Sequence, residues 1–582
     1  MIRRRKTSSH RKPLPAVALR HGRIEMEGTA KQAIETGRTR LVIAGAIFAL
    51  AFATVGARLI DLAILIDGNE PRIAHSPVIE RFTTERADIR DRNDELLATS
   101  LITASLYADP ALVLDVDEAA RDLAMVLPEL SEASIRAKLS TKGRFVWLRR
   151  NLTPRQVYDV NRLGLPGLAF QREERRVYPH GSLASHILGF TNIDNRGLAG
   201  AERQFDDILI GGSRPLNLSL DLRVQYVLEE ELAAAQQEFS AIGAAGIVMD
   251  VVTGEVLAMA SLPGFDPNHP VDGADDTRFN RATLGVYEMG STFKIFTTAM
   301  ALDAGTVTMR GGYDATNPIR VARFTISDFH AKKRWLSVPE IFMYSSNIGA
   351  AKMALDVGSE GQEAFLRGLG LLTPSSIELP EVGAPMLPSP WREINTMTVS
   401  FGHGVAVSPI QLASAVSTVV NGGLAVPATI LKRAPNDPIP VRRAISAETS
   451  ENMRRLLRLV VTEGTGKNAE AQGYLVGGKT GTAEKLGAHG GYQRRALLSS
   501  FVGAFPMNNP RYVVLAILDE PKGTKATYGY ATGGWVAAPV VGKVVTRIAS
   551  VIGVNPLDEN APEIREAFAV ELNPRGTTLA SY

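Results

Sequence analysis

Residues 41–57 run for seventeen positions without a charge, and this stretch limits what the chain can fold into more than any other. Seventeen helical residues span about 26 Å, the short end of what crosses a bilayer. Arg38 and Arg40 lead into the run and Arg58 closes it, where its stem can lie on apolar surface while its guanidinium reaches water. A buried core helix would share the composition but not the flanks. Residues 1–40 hold eleven Lys/Arg against three Asp/Glu, a net +8 within an overall +3, which leaves the remainder at −5. Such a tail suits phosphates, yet directly before an apolar span it marks the cytoplasmic side of a membrane rather than a nucleic-acid partner. A cleaved signal peptide fits poorly, because the run is long for an h-region and its forty-residue leader too long. The expectation is a cytoplasmic tail (1–40), a single-pass anchor (41–60) and an extracytoplasmic body.

That body exceeds what one core organises, and its composition is ordinarily globular, so at least two domains are expected. With no cysteine, a disulfide framework, a thiolate metal site and a cysteine nucleophile are all excluded. Residues 61–225 mix short β-type runs, such as 101–108, with helical stretches and turns like Tyr178-Pro179-His180-Gly181. A helix is predicted from Asp221 to about Phe239, followed by two apolar strands, 245–251 and 256–260, around a turn at Gly254. Two further apolar runs, 497–505 and 512–518, flank a turn with Pro506, Asn508, Asn509 and Pro510. Mainly helical patterns lie between these hairpins, so residues 226–554 read as an α+β domain, an antiparallel sheet with helices. Residues 555–582 are polar, with Pro556 and Pro562, and are expected to form a flexible tail.

In Glu288-Met289-Gly290-Ser291-Thr292-Phe293-Lys294, the serine precedes an apolar helix and the lysine follows one turn later on the same face. An ammonium cannot accept the serine proton, but burial disfavours the charge and brings the amine into a base's range. The helix N-terminus adds N–H groups and a positive dipole end for an oxyanion. Alone, S-x-x-K carries little weight, since about one chance match is expected in a chain this long. Ser9-His10-Arg11-Lys12 is such a match, without an apolar helix behind it. In Tyr344-Ser345-Ser346-Asn347, a hydroxyl and an amide two residues apart suit a proton relay and a hydrogen bond to a substrate amide, although a helix cap would read the same. Gly477-Gly478-Lys479-Thr480-Gly481-Thr482 reads as a strand edge or a surface turn. As an edge, it pairs with an extended peptide while its cation and hydroxyls hold a terminal carboxylate. All three in this order are far harder to meet by chance.

The set S-x-x-K, S-x-N and K-T-G resembles that of the penicillin-binding serine transpeptidases and β-lactamases. Arg86-Ala87-Asp88-Ile89-Arg90-Asp91-Arg92-Asn93, Arg176-Val177-Tyr178-Pro179-His180-Gly181 and Gly200-Ala201-Glu202 look like the boxes of the class B pedestal, which carries no glycosyltransferase. Glu288, the Ser-Ser-Asn motif and Phe401-Gly402-His403-Gly404 resemble the division type rather than the elongation type. Met289 stands where proline is usual, His403 where tyrosine is common and Ala87 where glycine is usual. The resemblance implies an elongated α+β pedestal (61–225) before a β-lactamase-like transpeptidase domain, in the inner membrane with the catalytic part periplasmic. It implies that Ser291 attacks the carbonyl between the terminal D-alanines of a peptidoglycan stem peptide and Lys294 takes its proton. Ser345 relays a proton, Asn347 binds the substrate amide, and Lys479, Thr480, Gly481 and Thr482 hold the substrate. β-Lactams would be trapped as acyl-enzymes, and a membrane-embedded glycan polymerase and other division proteins would be partners.

No E-x-x-L-N run lies between the second and third motifs, so the deacylating glutamate of class A β-lactamases is missing; Glu393-Ile394-Asn395 and Glu571-Leu572-Asn573 do not fit. Nine scattered histidines without paired spacing give no metal site, and neither metal nor cofactor is expected. The G-x-S-x-G elbow of an α/β-hydrolase is absent, which leaves His403 a structural reading. A scaffold or β-lactam sensor is the non-enzymatic alternative, disfavoured by intact Ser291, Lys294, Asn347 and Lys479.

Overall fold

In a computed structural model of the protein, residues 29–60, 86–212, 214–270, 275–321, 324–486 and 491–572 are described. The chain divides into two compact units, Met1–Phe82 and Thr83–Tyr582. In the first, the helix Thr29–Ile60 holds an apolar window, Arg40–Ala57, long enough to cross a membrane. Its Leu41, Phe48, Leu50 and Phe52 side chains are exposed. The Ser9–Lys12 match lies outside the described residues, as do residues 61–85.

The second unit begins with a sheet built on one long strand, Leu96–Ala108, which pairs antiparallel with Leu168–Val177 and Val146–Leu152. Leu106, Leu123, Leu139, Leu148 and Val160 close a separate small core beside it. The three pedestal boxes converge on one buried carboxylate. Glu202 accepts from Arg86 at 2.5 and 2.7 Å, from Arg176 at 2.7 Å and from the Tyr178 hydroxyl at 3.2 Å. Two buried guanidiniums matched to carboxylate oxygens avoid the cost of an unpaired buried charge.

The join expected near residue 225 lies inside this unit. Asp221 caps the helix Leu222–Glu238, whose Glu229 accepts from the Ala184 N–H at 2.8 Å, and Glu381 accepts from the Gly200 N–H at 3.3 Å. The main sheet is five-stranded and antiparallel, in the order Gly477–Leu486, Tyr492–Phe505, Tyr512–Asp519, Gly243–Asp250, Val256–Leu262. Both expected hairpins are present and adjacent. Alternation explains why their strands are apolar throughout. Ile247, Val513, Leu515 and Ile517 enter one core, while Val248, Val514, Ala516 and Leu518 enter the other. Helices Leu222–Glu238 and Ala538–Ile548 cover the second face. Helices Lys294–Asp303, Pro409–Val420 and Ala447–Thr462 contribute to the first core.

Residues 555–572 depart from the expected loose tail. The Leu557 N–H donates to the Gly473 carbonyl at 2.8 Å, Glu559 accepts from Arg458 at 2.9 Å, and the Ser337 hydroxyl donates to the Leu572 carbonyl at 2.6 Å. Ile564 and Phe568, one turn apart, pack on the large core. Two apolar residues, one matched carboxylate and two hydrogen bonds to its backbone thus dock a segment whose composition is otherwise polar. Glu571 pairs with Arg310 at 3.5 Å, and residues 573–582 lie outside the described residues.

Candidate active site

Ser291 lies in a 3-10 turn, Gly290–Phe293, and the α-helix starts at Lys294, immediately after it. Met289 is buried, and its carbonyl accepts from the Thr292 hydroxyl at 3.0 Å, which ties the turn without a proline. The turn is also wedged. A Cβ on Gly402 would come within 2.1 Å of the Gly290 carbonyl oxygen, and one on Gly481 within 2.6 Å of the Met289 carbonyl oxygen. The lack of a side chain at Gly481 therefore lets the edge strand pack against the turn that carries Ser291.

Lys294 is buried beneath Ser291. Its Nζ lies 2.9 Å from Ser291 Oγ, 2.9 Å from the Ser345 carbonyl oxygen, 2.7 Å from Asn347 Oδ1 and 3.1 Å from Ser345 Oγ. A carbonyl and an amide oxygen can only accept, so they take two N–H groups. A neutral amine has two hydrogens and one lone pair, which leaves the lone pair for a hydroxyl. Burial drives the Lys294 ammonium well below the usual lysine range; the charge of Lys479 adds to this and Asp328 opposes it.

Ser345 closes the helix Val338–Tyr344 in the left-handed region, φ 60° and ψ 45°, a conformation that costs a non-glycine residue about 1 kcal/mol. Ser346 then caps the helix Asn347–Val357. The reversal aims Ser345 and Asn347 at the same amine, while Asn347 Nδ2 donates to the Ser327 carbonyl at 3.0 Å. Ser345 Oγ also receives Lys479 Nζ at 3.0 Å, so one hydroxyl joins both lysines.

Lys479 is fully buried and its ammonium is pushed down to about 7 by desolvation. Its second contact, the Thr480 carbonyl, is long at 3.4 Å, which leaves donor capacity toward a ligand. Thr480 shares a 2.8 Å hydroxyl bond with Thr465, and Thr482 Oγ1 accepts from the Gly533 N–H at 3.1 Å. The strand carrying them is an edge of the sheet, as the sequence suggested. All eight predicted site residues meet at one place.

A second cluster at the rim joins Glu288 and His403, both marked by the resemblance, to Tyr492, which the sequence did not single out. Glu288 accepts from the Gly404 N–H at 2.8 Å and from the Tyr492 hydroxyl at 3.1 Å, and burial raises its carboxyl above the usual range. The His403 ring lies between Phe401 and Tyr492, at 5.5 and 5.4 Å, and is pushed down by burial and by Lys294. Tyr492 sits 204 residues from Glu288, and no local pattern announces that pairing. Among the described residues no cluster of His, Asp and Glu could hold a metal.

Residues 244–546 match the model of the penicillin binding protein transpeptidase domain, and residues 82–214 that of the penicillin-binding protein dimerisation domain. The chain is 42% identical over 481 residues to the probable peptidoglycan D,D-transpeptidase FtsI of Caulobacter vibrioides, covering 81% of this chain and 82% of that protein. It is 30% identical over 512 residues to the peptidoglycan D,D-transpeptidase FtsI of Escherichia coli K12, covering 82% and 85%. The crystal structure of penicillin binding protein 3 from Mycobacterium tuberculosis, complexed with aztreonam, superposes with a TM-score of 0.64 at 24% identity, over 82% of this chain and 97% of that one. That likeness concerns the fold.

Proposed function

Starting from a chain that belongs to the class B penicillin-binding proteins, we propose that it cross-links peptidoglycan stem peptides at the division septum by serine acyl transfer, and is a target of β-lactams. Ser291 Oγ attacks the carbonyl carbon between the two terminal D-alanines while the neutral amine of Lys294 takes its proton. The N–H groups of Ser291 and Thr482 stabilise the oxyanion. As the C–N bond breaks, Ser345 passes a proton to the departing D-alanine nitrogen, leaving an ester on Ser291. An amine from a neighbouring stem then attacks the ester, a new amide forms, and Ser291 recovers its proton. Asn347 holds the substrate amide. Lys479, with Thr480 and Thr482, holds the terminal carboxylate, and the arriving negative charge draws Lys479 back toward its ammonium form. With a β-lactam the leaving group stays tethered, and the acyl-enzyme persists.

The observation that carries this reading is the placement of Lys294 Nζ, buried, 2.9 Å from Ser291 Oγ, with its other contacts able to take both hydrogens of a neutral amine. The tail (1–40) is cytoplasmic, the anchor (41–60) lies in the inner membrane, and the pedestal (61–225) and transpeptidase domain (226–554) are periplasmic. Glycan-polymerising and other division proteins contact the anchor and pedestal. Fluorescent penicillin should label the wild type, with the penicilloyl group on the peptide containing Ser291 by mass spectrometry. Ser291→Ala should abolish labelling in a folded, membrane-bound protein; full labelling of that variant would refute the assignment. Depletion should give filaments, and round cells would move the role to elongation.

A further inference from the structure

The second motif is not self-supporting, because Ser345 in the left-handed region and the reversal into Asn347 need something to hold them. A loop between the short strands Phe324–Ile326 and Trp335–Ser337 supplies it. Asp328 Oδ2 accepts from the Ser346 hydroxyl at 2.8 Å, and Oδ1 accepts from the Ile348 N–H at 3.0 Å. Ser346 Oγ in turn accepts from the Gly349 N–H at 3.0 Å. One carboxylate thus orients the cap and takes a free N–H of the Asn347–Val357 helix, whose first turn also favours negative charge. The preceding residue completes the clamp, since the Ser327 carbonyl takes the Asn347 side-chain amide at 3.0 Å.

The loop is fixed at both ends. Ile326 is buried with Ala351 of the same helix and with Met397 and Phe401. Arg334 donates twice to Glu340, at 2.6 and 3.0 Å, within the box that caps the helix leading to Ser345. Asp328 touches neither Ser291 nor Lys294 by hydrogen bond, yet it is an electrostatic influence on Lys294. The other charged or titratable groups coupled to that amine are Lys479, from the edge strand, and His403.

We propose that Asp328 is a positioning residue for the acyl transfer, acting through Ser346 and the start of the Asn347–Val357 helix to hold Ser345 and Asn347 on Lys294. It rests on the reading of Ser291 and Lys294 given above. Losing two hydrogen bonds to a charged acceptor loosens both motif side chains, and acylation slows by about 10- to 100-fold in Asp328→Ala. Asp328 also opposes the depression of Lys294, so its removal makes the amine neutral at lower pH. The acid limb of the acylation profile therefore moves to lower pH even as the plateau falls.

The test is stopped-flow acylation of the full chain in detergent by fluorescent penicillin, from about pH 5.5 to 9.5. It compares wild type, Asp328→Ala, Asp328→Asn and Ser346→Ala. Ser346→Ala keeps the charge, so it should slow acylation with the limb in place, whereas Asp328→Asn should slow it and move the limb. A folded Asp328→Asn whose rate stays within about twofold of wild type, or whose slower rate leaves the limb unmoved, overturns the proposal. Should Asp328→Ala fail to fold, the Asn and Ser346 variants decide. Failure of the underlying reading is distinct, because wild type would then lack the adduct on Ser291 before any variant is made.

Discussion

Replacing Lys479 with methionine should raise stability in acid while ending substrate capture. The ammonium is pushed down to about 7 in the fold, against 10.5 for an unperturbed lysine. Below about pH 7 the lysine is charged in both the folded and unfolded states, and the full burial penalty is present. Between that value and 10.5 the unfolded chain binds one more proton than the folded one, so stability rises by about 1.4 kcal/mol per pH unit. The penalty thus amounts to at most about 5 kcal/mol. Methionine keeps the length without the charge and gives up the contact to Ser345 Oγ at 3.0 Å and the long one to Thr480. Those contacts are worth about 1 kcal/mol each. The balance at pH 6 is about 3 kcal/mol in the variant's favour, about 3 °C in Tm for a compact unit running from Thr83 to Tyr582. By about pH 9.5 it should vanish or reverse. Thermal unfolding of the full chain in detergent, followed by circular dichroism across this range, measures it. A variant less stable than wild type at pH 6, or a difference that does not move with pH, would refute the reasoning that a buried charge is the burden here.

Gly402→Ala should be disproportionately harmful to chemistry. The residue has φ +83°, and its new Cβ would stand 2.1 Å from the Gly290 carbonyl, so the turn carrying Ser291 must shift. Penicillin acylation should fall by about 100-fold or more, and a normal rate would remove the wedge from the account. Glu559→Ala should leave Arg458, a buried side chain, with Glu470 as its one matched carboxylate among the described residues, and should cost about 2 kcal/mol. Limited proteolysis should then release the segment after residue 555 while the Ser291 adduct still forms; unchanged resistance would show that the strap is held by Ile564 and Phe568 instead.

The parts legible in the sequence are those whose partners lie close along the chain. Ser291 and Lys294 are one turn apart, Ser345 and Asn347 two residues apart, and the apolar runs at 245–251 and 512–518 announce strands by composition. Pairing those strands, and bringing the three motifs together, required a resemblance rather than a spacing. The long-range pairings that hold the pedestal and the site in shape were not legible from spacing, even where the resemblance named the residues. Asp328 meets Ser346 eighteen residues away, Glu202 meets Arg86 across 116, and Glu288 meets Tyr492 across 204. Each is an ordinary acid in an ordinary-looking loop or helix, and only burial and geometry give it a role.

The same contrast explains why the segment after 555 is docked although its composition reads as a loose tail. Its composition describes the average residue, whereas its docking depends on Glu559 finding Arg458 and on Ile564 and Phe568 finding the core. Arg458 also donates to the Val476 carbonyl at 2.8 Å, immediately before the strand that carries Lys479. The segment after 555 and the edge strand that carries Lys479 therefore share one guanidinium. Two buried lysines are costly to fold around, and the carboxylates that match Arg458 stand on other elements than the two lysines do. A carboxylate inside the cleft would pair with Lys294 and hold it as an ammonium, and the serine would lose its base.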